Sequence, residues 1–183
     1  MKINAKFLNG IINAALADFF AAELNSILTD VSERNLCARL AIHFERQMSA
    51  AGLVGYYADP EYNRKQDGQV KTIINGNYEV ISITCDLIVH SRGEIISKDN
   101  LIALEMAKPN KTFKVIQDDR NRLIALTKKS YNDVWSNDGE THPEHVCGFV
   151  KGIFLMIDPV AREAHLESYA DGAVSQPVQT IKF

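Results

Sequence analysis

The sequence predicts an α/β domain, with a mixed sheet of four to five strands flanked by helices. Three observations lead there. Residues 5–28 and 31–51 repeat apolar side chains at helical spacing. Apolar runs bounded by turn residues follow near 53–58, 78–90, 101–108 and 146–157. A third helical stretch, 112–129, separates the last two of those runs. At 183 residues, 1–183 reads as one domain, and 46% apolar residues suffice for a core.

In the first helix Leu8, Ile12, Ala15 and Phe19 recur at spacing four, three and four, which is one face. That stripe suits core packing or a homodimer contact. Thr29 and Asp30 break the helix. In the second, Leu36, Leu40, Phe44 and Met48 line one side and Gly52 ends it. Glu33 stands at the amino end of the apolar stripe, where Asp30 and Glu33 fit a capping box. Residues 53–64 read as a first strand turning at Asp59–Pro60. Arg64, Lys65 and Lys71, near Tyr56, Tyr57 and Tyr62, make a basic and aromatic spot suited to a nucleic-acid backbone and bases, or else a solvated hairpin. Asn75-Gly76-Asn77 is a turn. The second strand then runs over 78–90 and the third over 101–108, ended by Pro109. The helix at 112–129 sits in the most basic region, with Lys111, Lys114, Arg120, Arg122, Lys128 and Lys129. These suit phosphate contact or a solvated face, and Gln117 near the start could orient a phosphate. The loop 130–145 holds Trp135, His142 and His145, but Pro143 and the lack of HExxH argue against a zinc helix. Residues 146–157 are a buried strand whose glycines suggest close packing or a bulge. Residues 162–169 form an edge strand and 170–172 a turn.

The hairpin at 84–108 carries the chemistry. A pairing that sets His90 against Leu101 also sets Asp86 against Glu105. Opposed side chains in such a ladder lie about 5 Å apart at Cβ. Two carboxylates that close, in strands otherwise of Ile, Leu and Val, need a cation or a proton to offset their repulsion. Oxygen ligands of this kind suit Mg²⁺ or Mn²⁺ rather than zinc. The plainer alternative is a different register with both acids facing water.

The segments CDLIVHSRG, NLIALEMAK and DDRNRLIALTK resemble small bacterial members of the PD-(D/E)xK, or restriction-endonuclease-like, nuclease superfamily, which read roughly DLIVHxRG, NLLxxExKK and DxxRLxALT. The resemblance spans about 33–158. It implies an αβββαβ core with an extra N-terminal helix, and a metal-dependent phosphodiesterase acting on DNA or RNA. Asp86, Glu105 and the Met106 carbonyl would hold Mg²⁺ or Mn²⁺, with Glu33 assisting. Lys111, Lys114, Arg122, Arg64 and Lys71 would meet the nucleic acid. One departure stands out. The family's lysine position is Ala107, which shares a strand face with Glu105, while Lys108 points the other way unless a bulge shifts the phase. Either the catalytic lysine is absent or Lys108 has taken its role, and restoring Lys at 107 should then raise cleavage. The alternative function is a non-catalytic interaction module on the same scaffold.

Composition bounds the rest. The net charge of −3 argues mildly against a general nucleic-acid binder. Cys37, Cys85 and Cys147 lie apart within apolar runs, as reduced core residues of a cytoplasmic protein would. No apolar run reaches the roughly 18 residues of a membrane span.

Overall fold

The computed structural model describes residues 3–62, 72–74, 80–82, 84–129 and 147–183. Helix α1 (Ala5–Ala22) is capped by Asn4, whose side chain accepts from the Phe7 N–H at 2.9 Å. It stops at Glu23, and a short α2 (Leu24–Leu28) follows, so the continuous helix expected over 5–28 is broken. Helix α3 (Glu33–Ala50) takes its cap from Ser32, not Asp30. The capping box expected for Asp30 and Glu33 is therefore absent, which leaves the Glu33 side chain for other partners. At the far end Gly52, with φ +70°, lets the chain turn back so that Leu53 N–H reaches the Met48 carbonyl.

The main sheet has six strands: β1 (Tyr57–Pro60), β4 (Leu87–His90), β5 (Asn100–Ala107), β6 (Lys151–Asp158), β7 (Glu163–Ala170) and β8 (Ala173–Lys182), in that spatial order. A separate hairpin joins β2 (Thr72–Ile74) to β3 (Val80–Ser82). All main-sheet neighbours are antiparallel except β5 and β6, which run parallel with α4 (Phe113–Thr127) between them in the chain. The sheet thus exceeds the four to five strands expected. The strand expected at 78–90 is two strands in two sheets. The strand expected at the edge, 162–169, is interior, because β8 pairs beyond it. Pro177 and a register irregularity near Ser168 mark β8 as the actual edge.

The central strands of the sheet are covered on both faces. On one, α1 and α3 bury Leu8, Phe19, Leu40 and Phe44 against Leu104, Met106, Ile153 and Leu155. The stripe on α1 is consumed within the chain, in keeping with the core reading. On the other face, α4 packs Leu123 and Leu126 against Ala103, Ala107 and Phe154. A Cβ at Gly152 would meet Thr127 and Tyr169 at 3.0 Å, so this glycine allows α4 its close approach to β6. Fully burying side chains of this kind is worth roughly 1.5–3 kcal/mol each.

Candidate functional site

Strand β4 meets β5 with Leu87 opposite Leu104 and Val89 opposite Ile102. This is the register the sequence suggests, and its continuation sets Asp86 beside Glu105. The match ends at the turn side: His90 faces Asn100 rather than Leu101, with an irregularity between Val89 and His90. Both acids lie where β4 begins and β5 ends, under the first turns of α4.

Glu105 is 1% exposed. Its Oε1 accepts from Arg122 Nη1 at 2.6 Å and from the Cys85 thiol at 3.2 Å. Arg122 also donates to Asp119 Oδ1 at 3.1 Å, one turn earlier on α4. Asp86 Oδ2 accepts from the Met106 N–H at 2.8 Å. Glu33, at the first turn of α3, accepts from the Lys108 N–H at 3.0 Å and pairs with Lys111 Nζ at 2.8 Å. Lys111 Nζ also donates to the Met106 carbonyl at 3.1 Å and stands 3.8 Å from Asp119 Oδ2. Four carboxylates, Glu33, Asp86, Glu105 and Asp119, thus meet two cations, Lys111 and Arg122.

The electrostatics register this imbalance. Burial pushes the Glu105 carboxyl up to about 8; Arg122 opposes the rise and Asp86 adds to it. Burial also raises Asp86, against the pull of the Met106 N–H and Lys111. Lys111 is held above its ordinary range: burial acts to lower it, but Glu33, then Asp119 and Asp86, outweigh that. Asp119 Oδ2 is buried and accepts no hydrogen bond. Fully ionised, the cluster carries an excess of two negative charges. Hard oxygen donors with that excess suit a divalent cation of the Mg²⁺ or Mn²⁺ kind. Among the described residues no group of three His, Cys, Asp or Glu stands ready to ligate a metal. A cation on Asp86, Glu105 and the Met106 carbonyl would share that carbonyl with Lys111 or displace it.

Two expectations change here. Lys108 does not serve the acids. Its Nζ bonds Asp30 and the Val31 carbonyl, on the side of α3, because the only irregularity in the β4–β5 ladder lies at its other end. Lys111 is the lysine at the cluster instead. Ala107 shares Glu105's side of the sheet, as alternation requires, but it is fully buried beneath α4. A lysine there would have to thread its stem through that packing, so simple restoration of activity by Ala107→Lys is no longer expected.

Most of the basic helix is also committed internally. Arg120 pairs with Glu167, Arg122 with Glu105 and Asp119, and Lys129 with Asp171. Lys114 is exposed on the first turn of α4. Gln117 bonds Asn121 at 3.1 Å. Glu61 pairs with Arg34. Tyr56 bonds the Lys98 carbonyl, Arg92 covers the Tyr57 ring, and Tyr62 rests on His90. Arg64, Lys65, Lys71, Trp135, His142 and His145 lie outside the described residues. Sequence reasoning missed the part played by Asp119. Its signal was the Asp–Arg pair three apart, facing inward on a helix placed after the Glu-bearing strand.

Compared with known proteins, the chain matches no family model, and no curated protein or solved structure matches it significantly.

Proposed function

We propose that the acid cluster is the site of a metal-dependent phosphodiesterase acting on nucleic acid, of the restriction-endonuclease-like kind, with Lys111 supplying the positive charge that Ala107 does not. The observation that carries this is the undercompensated set of four carboxylates, with Asp119 Oδ2 buried and unbonded. Two further features support it. Asp86 and Glu105 adjoin across the β4–β5 ladder, and the chain order α3, β1, β4, β5, α4, β6 contains helix, three strands, helix, strand. The inserted β2–β3 hairpin and the added β7–β8 strands lie outside that series.

A Mg²⁺ or Mn²⁺ held by Asp86, Glu105 and the Met106 carbonyl would supply Lewis-acid polarisation of the phosphodiester. The chain's own residues prepare the rest. Arg122 and the Cys85 thiol fix the Glu105 carboxylate, and the Met106 N–H fixes Asp86. Glu33 holds the Lys111 ammonium at the mouth of the cluster, where it can leave the Met106 carbonyl and meet a phosphate oxygen. Lys114, with Arg64 and Lys71, would contact the nucleic-acid backbone. No helix among the described residues is long and apolar enough to cross a membrane. A cytoplasmic setting belongs to the same reading, on the buried positions of the cysteines.

The test pairs melting curves with hydrolysis of single- and double-stranded DNA and RNA, in Mg²⁺ and in Mn²⁺. Expected are a metal-dependent rise in Tm, its loss in Asp86→Ala, and hydrolysis that follows the same pattern. Absence of both the rise and the hydrolysis in the wild-type chain removes the proposal. A rise that depends on Asp86, without hydrolysis of any substrate, selects the second reading, a non-catalytic module. The sealed Ala107 position favours that reading.

A further inference from the structure

On the face opposite the acid cluster, Lys151 opens β6. It pairs in register with Ile102, and Phe154, three residues on, pairs with Glu105. Three strand residues span about 10 Å, so Lys151 is separated from the cluster along the strand as well as by the sheet itself. Its neighbours at alternate positions, Ile153, Leu155 and Ile157, belong to the core beneath α1 and α3.

Lys151 is only 4% exposed. Among the described residues it has no hydrogen bond and no ion pair. Burial alone acts on its titration, lowering it, and no carboxylate raises it again. Lysine is almost never buried without a partner, because an unpaired charge out of water costs several kcal/mol. The usual remedy for a buried charge is a partner of opposite sign beside it. Here what lies beside it is a cavity of about 90 Å³.

Beside the apolar Ile12, Ile153 and Leu166, the cavity is lined with neutral hydrogen-bonding groups: Asn9 and Asn13 from α1, Ser168 from β7, and Gln176 and Gln179 from β8. Asn9 and Asn13 are four apart on one helix face, and Ser168 pairs with Gln176 across the β7–β8 ladder, so regular elements place them. Amide N–H and hydroxyl groups donate to anionic oxygens, and among the described residues no acidic side chain lines the cavity to repel them. A single water needs roughly 10–15 Å³, so several waters or one compact ion fit. The space is far below the roughly 300 Å³ at which drug-sized ligand sites begin.

We propose that this cavity is a binding site for a small oxyanion, an inorganic phosphate or sulfate or a short carboxylate, with Lys151 as its cation and the surrounding amides and Ser168 as its donors. The site is separate from the acid cluster and does not depend on the phosphodiesterase reading.

Equilibrium dialysis of the full chain tests it, against labelled inorganic phosphate, sulfate and acetate in turn, at constant ionic strength in chloride. One saturable equivalent of at least one of these ions is expected. Preference between phosphate or sulfate and acetate assigns the oxyanion class. Lys151→Met keeps the apolar stem and removes the charge, so affinity should fall at least about tenfold, the scale on which a charge-assisted hydrogen bond acts. Ser168→Ala, which leaves the charge in place, should cost a smaller factor and covers the case in which Lys151→Met does not fold. Phosphate and sulfate also raise Tm by exclusion from protein surfaces, an effect that neither saturates nor depends on Lys151, so the readout is bound ion rather than melting. Absence of saturable binding by the wild-type chain overturns the proposal, as does unchanged affinity in both variants.

Discussion

The two faces of the sheet hold opposite faults. At α4, Asp86, Glu105 and Asp119, joined by Glu33 from the start of α3, share two cations, and one carboxylate oxygen of Asp119 is left without a hydrogen bond. Beneath α1, one lysine lines a cavity with no carboxylate beside it among the described residues. Elsewhere the same fold balances its half-buried charges. Asp59 receives Arg92 in a two-bonded fork and His90 at 3.0 Å. Glu167 receives Arg120 and the Tyr169 hydroxyl. Burying an ion is costly, and these two imbalances are the grounds for the two proposals made above. The two proposals accordingly put a cation below α4 and an anion below α1.

That contrast can be broken most forcefully at Arg122. Arg122→Met removes one of two cations from the negative cluster, and breaking a buried pair this way typically costs about 3–5 kcal/mol, read by urea unfolding. The loss should depend on pH. Glu105 binds its proton more tightly folded than unfolded, so its contribution favours the folded state as pH falls from about 8 toward the ordinary carboxylate range. Without Arg122 that preference grows, and the variant should be less handicapped at pH 6 than at pH 9. An equal loss at both values would mean that Glu105 is not the group that suffers.

The balanced region serves as the control. Asp59 sits below its ordinary range: burial acts to raise it, but hydrogen bonds from Arg92 and His90 and their charges prevail. Its contribution to stability is therefore present above the ordinary Asp range, near 4, and disappears as pH falls through the lower folded value. Asp59→Asn should cost about 1.5–3 kcal/mol at pH 7 and less under acid conditions, by the same unfolding measurement. It should respond to neither metal nor oxyanion.

A smaller effect sharpens the comparison within the cluster. Lys111→Met frees the Met106 carbonyl, so the metal-dependent rise in Tm should be larger than in the wild-type chain. A smaller rise would make Lys111 a helper of the metal rather than its competitor. Lys108→Met should have the least effect, about 0–1 kcal/mol, since its Asp30 partner is largely exposed, and it should leave the metal response intact.

The sequence alone carried the α/β class, the helices at 31–51 and 112–129 to within a few residues, the start of the first helix but not its break at Glu23, and the pairing that brings Asp86 to Glu105, because apolar period and turn chemistry are local signals. It also placed Ala107 on Glu105's side of the strand, since alternation in β5 needs no tertiary information. The edge strand β8 escaped, because its largely exposed residues and its proline lack the apolar pattern of a buried strand. Which lysine serves the acids was likewise beyond local reading. Lys108 and Lys111 differ by three positions in a turn, and only the packing of α3 against the end of β5 sends one toward Asp30 and the other toward Glu33. The isolation of Lys151 has the same origin. A lysine at the start of a strand carries no mark of being unpaired until α1 and β8 close over it, for charge balance is a property of neighbours distant in the chain.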